Sequence, residues 1–170
     1  MYPLEYIKFI VHFHGDRDYF ECHEILEEYW KQTEDYHKNS IWVGFILFAV
    51  SCYHHRRLNY HGAERTLKKA LDIFFNKKEK ITGLGLQTNV FLADLQKKYT
   101  EIENRQPYES YNMPIKDPVL IQRAMEECTS LGLAWCCASD LTNLDLIHRH
   151  SRRDRSEVIA ERDAALQNKR

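Results

Sequence analysis

The run from Ile41 to Tyr53 carries no charge, and only Gly44 and Ser51 interrupt its apolar side chains. It falls short of the roughly 20 apolar residues that a helix needs to cross a bilayer. A helix apolar on every side instead belongs in the middle of a bundle, shielded by its neighbours. The run continues into Tyr53-His-His-Arg-Arg, which puts basic groups at the helix C-terminus, where the helix dipole favours them. The chain has 170 residues, 44% of them apolar, enough for one core. It has only six glycines and four prolines, so few positions force a tight turn, and long helices are favoured over a strand-rich fold. The expectation is a single all-α domain, a bundle of about six to seven helices around a buried central helix.

Local signals place the remaining helices. Pro3 suits a first helical turn, and Gly15 reads as a left-handed cap closing a helix over 3–14. Asp18 followed by Glu21 has capping-box spacing and opens a second helix reaching about Thr33. After the break Asn59-Tyr-His-Gly, the positions Leu67, Ala70, Leu71 and Phe74 share one face, predicting a fourth helix folded back on the third. Gly83 and Gly85 mark a loop before a helix over 88–104. The stretch from Gln106 to Asp117 has prolines and tyrosines without helical period, and Asp117-Pro118 is a start signal for a helix over 118–131. Gly132 to His150 is read as mostly helical. Asp154 and Glu157 repeat the capping spacing before a last helix over 156–167, whose mixed charges suit a solvated surface.

Composition narrows the function classes. The 24 basic and 25 acidic residues nearly cancel, removing the positive field on which nonspecific nucleic-acid binding depends. The first residues lack a basic segment followed by an apolar run, so the expected location is the cytosol, with no membrane span. Five cysteines is an odd count without a C-x-x-C, which argues for buried free thiols, with Cys136-Cys137 left as a redox curiosity. No G-x-S-x-G elbow, phosphate loop or dinucleotide fingerprint occurs.

The densest chemistry lies in Tyr19-Phe-Glu-Cys-His-Glu-Ile-Leu-Glu-Glu-Tyr-Trp. Turning about 100° per residue sets His23 among Phe20, Trp30, Tyr19 and Leu26, with Glu27 at the edge of that face. Glu24, Glu28 and Glu21 fall on the opposite flank, toward water. A carboxylate taken inward requires a donor, and His23, one turn away, is the nearest. The first reading is structural: a buried His23–Glu27 contact, extended by His54, Arg56 or Arg57, that sets the register of two helices. The alternative is a small-ligand or metal site, because imidazole and carboxylate at i and i+4 offer two ligands, with His12, His14, His54 or His55 to complete the set. A metal-dependent hydrolase is a weaker alternative, because the second histidine of an H-E-x-x-H helix is Glu27 here. The binding candidates are therefore His23, Glu24, Glu27 and His54, with no catalytic residue and no cofactor assigned.

The segments Phe13-His-Gly-Asp-Arg-Asp-Tyr-Phe-Glu-Cys-His-Glu-Ile-Leu-Glu-Glu-Tyr-Trp, Trp42-Val-Gly-Phe-Ile-Leu-Phe-Ala-Val-Ser-Cys-Tyr-His and Asn59-Tyr-His-Gly-Ala together resemble the YpuF-like family, a bacterial and archaeal domain of unknown function. The resemblance covers residues 6–75 and implies an all-helical bundle with no assigned reaction. Carried across by position, its characteristic polar residues are Glu21, His23, Glu24, Glu27 and His54. Cys22 departs from the usual alanine, and Leu58 stands where glycine is common. Residues 1–105 are thus expected to form the family-like bundle, and 106–170 a helical extension packed on the same domain or mediating homo-oligomerisation.

Overall fold

The computed structural model describes residues 1–149 and 156–167, with side chains in the last segment from 162 onward. The elements are α1 (Leu4–His14), α2 (Tyr19–Gln32), α3 (Ile41–Arg56), α4 (Tyr60–Phe75), α5 (Lys78–Gly83), α6 (Thr88–Glu103), α7 (Pro118–Ser130), α8 (Leu144–Ile147) and α9 (Ser156–Gln167). Among the described residues there is no β-sheet, only an isolated bridge between Leu86 and Ile115. The expected all-α bundle is what forms, with nine helices among the described residues instead of six or seven. The two short ones, α5 and α8, lack the length over which hydrophobic periodicity can be read. Asp154, half of the last capping signal, lies outside the described residues.

The apolar run does become a buried helix. α3 lies directly between α2 and α4. Gly44 permits the closest approach, since a Cβ there would meet the Phe74 ring at 2.8 Å. α1 and α6 reach α3 through aromatic side chains: Phe9 against Phe45 (5.6 Å between ring centres), Phe13 against Phe48 (5.2 Å) and Phe91 against Phe45 (6.0 Å). α1 is itself buried at Tyr6, Phe9, Ile10, Val11 and Phe13, so the centre is shared by α1 and α3 rather than held by one wrapped helix. Leu120, Ala124 and Cys128 of α7 close the far side of α1 as part of the same core cluster.

Caps fall where the side chains predict them. Asp18 accepts from the Glu21 amide, Asn59 from Gly62 and Asp117 from Val119. Gly15 corrects its expected role. Its φ of −84° is not left-handed, and glycine is required there because a Cβ would meet the Val11 carbonyl oxygen at 2.7 Å and the Cys128 sulfur at 3.3 Å. The left-handed residue of this turn is Arg17, at φ 56°. The segment 132–143 is turns and irregular chain rather than helix, and within 132–147 only α8 is helical. Glycine at 132, itself left-handed at φ 72°, and isolated apolar residues give it no sustained period.

Residues 104–117 and 131–143 together form a long non-helical arm over one face of the bundle. A non-helical segment cannot satisfy its own main-chain groups, and any that are buried require partners from elsewhere. His14 supplies one such bond and is itself held by a second. Its Nδ1–H donates to the Ile10 carbonyl at 2.7 Å, and its Nε2 accepts from the Met113 amide at 3.0 Å. That pair of partners fixes the neutral ring, and burial holds the His14 pKa down to about 4.

Two predictions follow from these local conformations. Leu58 is exposed and held at φ 65°, a left-handed geometry that favours glycine. Leu58→Gly should raise stability by about 0.5–1 kcal/mol in urea unfolding, after allowing for the looser unfolded chain. The second concerns His14, whose folded pKa lies below its unfolded one, so its contribution is complete above about pH 6.5 and disappears as pH falls toward 4. The loss is on the order of 2–4 kcal/mol. Unfolding midpoints between pH 7 and 4.5, with the imidazole followed by NMR, check it; a His14 titrating at 6.5 would contradict the tether.

Candidate functional site

The sequence candidates sit on the outer shoulder of α2. His23 Nε2 meets Glu27 Oε2 at 2.8 Å, so the predicted pair forms, and Lys31 extends it to Glu27 Oε1 at 3.1 Å. Glu24 lies 3.5 Å from His23 Nδ1. The side chains of His23, Glu27 and Glu24 are 26%, 35% and 39% exposed, so this is a half-exposed ladder and not a buried cluster. The reason is geometric. The positions of α2 that meet the core are Tyr19, Cys22 and Leu26, and His23 and Glu27 follow them by one residue, about 100° round the helix. His23 packs on Phe20, which in turn meets Tyr53. The hydrogen bond from His23, aided by Lys31, holds the Glu27 carboxyl down to about 2.

His54, on α3, has Nδ1 at 3.2 Å from the Asn59 side-chain amide nitrogen and its ring against Gly62 at the start of α4. Among the described residues, no three His, Cys, Asp or Glu side chains are placed to hold a metal ion. The other histidines expected to complete a ligand set are committed: His12 to Asp16 at 3.1 Å, His14 to the main chain as described, and His55 Nε2 to the Gln106 carbonyl at 2.8 Å. The cysteines are free thiols; Cys22, Cys52 and Cys128 are buried, Cys136 partly so, and Cys137 is exposed.

A different constellation occupies the interior. Arg17 is 1% exposed and donates from Nε to the Cys137 carbonyl (2.8 Å), from Nη1 to the Tyr111 carbonyl and from Nη2 to Asn112 Oδ1. Arg56, 6% exposed, does not extend the His23–Glu27 pair. Its Nη1 donates to the Arg17 carbonyl at 2.7 Å and to Ser139 Oγ at 3.1 Å, while its guanidinium lies 4.6 Å above the Tyr19 ring. The Tyr19 hydroxyl meets that of Tyr108, which bonds Ser139 Oγ at 2.8 Å. Burial pushes the Tyr19 pKa well above its ordinary value, so it stays a neutral phenol. Asp18, 4% exposed, is paired with Arg149 and caps α2; burial is the main cause raising its pKa.

Thus His14, Arg17, His55 and Arg56, all from the first three helices or the turn between them, each make at least one hydrogen bond to the arm. Arg17 gave no sign of this in the sequence, because an arginine between two aspartates in a turn reads as solvated charge. Arg56 stands three residues past the uncharged run, and only the continued helical period, which returns it to the face of Cys52, pointed inward.

The family model described as domain of unknown function DUF309 matches residues 6–66, from α1 to the first turns of α4. The uncharacterised protein YpuF of Bacillus subtilis is 42% identical over all 170 residues, covering 98% of its own length, so the similarity includes the arm and the residues after it. No solved structure matches. The chain therefore belongs to the DUF309, or YpuF-like, family.

Proposed function

We propose that the protein is a non-enzymatic helical scaffold, in which buried basic side chains fasten a long irregular arm to the family helices and so present a fixed surface to a partner. The observation that carries this reading is the use of the buried charge. Arg17 gives donors on all three nitrogens to two carbonyls and an amide of the arm, an arrangement that immobilises chain and leaves none of its nitrogens for a substrate. The His23–Glu27–Lys31 ladder then stabilises the outer turn of α2, contributing little, as exposed pairs do. The C-terminal helices are the surface on which self-association is expected.

A second reading rests on the accessibility of that ladder. Phe20, His23, Glu24 and Glu27 form a half-exposed strip with an aromatic base, suited to a small organic ligand bearing a donor and an apolar edge. Here His23 and Glu27 bind, and Glu24 and His54 flank them.

Two variants separate the readings. Arg17→Met strands two carbonyls and an amide at the arm, and should cost about 3 kcal/mol in urea unfolding and speed amide exchange in 108–113 and 137–139. His23→Ala should cost less than about 1 kcal/mol and leave exchange in the arm unchanged. Native mass spectrometry of the untreated protein supplies the opposing outcome: a bound small molecule lost on His23→Ala, with stability retained, would replace the scaffold by the ligand site.

A further inference from the structure

Arg56 is the most unusual group in the interior, because its hydrogen bonding is incomplete on one particular edge. Both Nε and Nη2 are shielded from solvent and have no hydrogen-bond partner among the described residues, while Nη1 has two. In a guanidinium the Nε–H and one Nη2–H point the same way, forming the fork that takes two oxygens of a carboxylate or phosphate in parallel. The orphaned donors are therefore one complete fork.

Charge points the same way. Arg17 and Arg56 are joined through the Arg17 carbonyl, and Arg17's own donors all go to uncharged acceptors. Among the described residues neither guanidinium makes an ion pair. The adjacent carboxylate, Asp18, is spent on Arg149 and on the Glu21 amide. Two positive charges are thus enclosed together, one with a two-nitrogen fork that no described residue engages. Buried charges ordinarily find a counter-charge, and the described residues supply none at contact distance.

We infer that the Nε/Nη2 edge of Arg56 is the binding site of a small oxyanion, a phosphate or a carboxylate group, on a guanidinium whose face is covered by the Tyr19 ring. Tyr19 stacks on the guanidinium and fixes its plane, and the Tyr19–Tyr108–Ser139 hydroxyl chain holds Nη1, which leaves the fork correctly turned. The atoms are enclosed in this conformation, so a ligand reaches the fork only when the chain around it opens. The inference is independent of the scaffold reading, since a buried anion can complete a scaffold as readily as it can occupy a receptor.

The test uses the intact chain and the Arg56 Nε–H resonance in a ¹H–¹⁵N spectrum. Titration with sodium phosphate, and separately with sodium acetate, at ionic strength matched with sodium chloride, should move that resonance saturably with at least one of the two; which one identifies a tetrahedral or a planar oxyanion. Arg56→Lys keeps the charge but removes the fork, and should weaken the saturable thermal stabilisation by that anion about tenfold or more. A resonance indifferent to both anions, or one moved equally by chloride, overturns the site, the first outcome marking a fork met by water alone. If Arg56→Lys does not fold, the titration of the unaltered protein decides alone.

Discussion

The architecture depends on main-chain groups that no helix can satisfy. α6 ends at Glu103 and α7 begins at Pro118, and between them the chain crosses the bundle without regular structure; after α7 it does so again. Laying such chain on an apolar core desolvates amides and carbonyls, at roughly 1–3 kcal/mol for each one left unpaired. Side chains of the core supply the missing partners. His55 receives the arm at Gln106, Arg17 at Tyr111 and Asn112, His14 at Met113, and Arg17 and Arg56 together at Cys137 and Ser139. From the opposite side Tyr111 donates to Asp94 at 2.7 Å, and the Gln87 amide donates to the Pro114 carbonyl at 2.8 Å.

This division of labour explains why the basic groups are inside. A guanidinium carries five donors on a long stem and reaches several carbonyls at once, which a lysine ammonium or a serine hydroxyl cannot do with the same geometry. It also explains a strained backbone. Arg17 occupies a left-handed conformation unfavourable by about 1–2 kcal/mol for a residue with a Cβ, and its three side-chain bonds over-determine the turn that holds it there. Leu58, equally left-handed, has an exposed side chain, so backbone strain at that turn is the simple reason for a glycine preference.

The helices were legible because their information is local. Asp18, Asn59 and Asp117 cap within three residues of themselves, and the uncharged run from Ile41 could only be buried. The His23–Glu27 pair was legible for the same reason, as an i, i+4 contact on one helix. Its depth was not. The aromatic face of α2 is broad, and whether its edge is covered depends on how α2 rolls against α1 and α3, which rests on Cys22 and Leu26 rather than on the larger Phe20 and Trp30. The interior cluster was illegible because its contacts are remote: Arg17 meets residues 94 to 120 positions away, and no periodicity connects a turn arginine to an irregular segment.

The same remoteness separates what the family helices determine from what the whole chain determines. The matched span 6–66 holds His14, Arg17, Tyr19, His55 and Arg56, the donors and rings of the interior cluster, while Tyr108, Tyr111, Met113, Cys137 and Ser139, which they engage, lie beyond it. Cut after α4, the bundle would lose Phe91 from its aromatic centre and leave Arg17, Arg56, His14 and His55 without their partners in the arm. The full-length similarity to the Bacillus protein is what this dependence demands, because a helical core with inward-turned cations is a stable object only together with the arm that answers them.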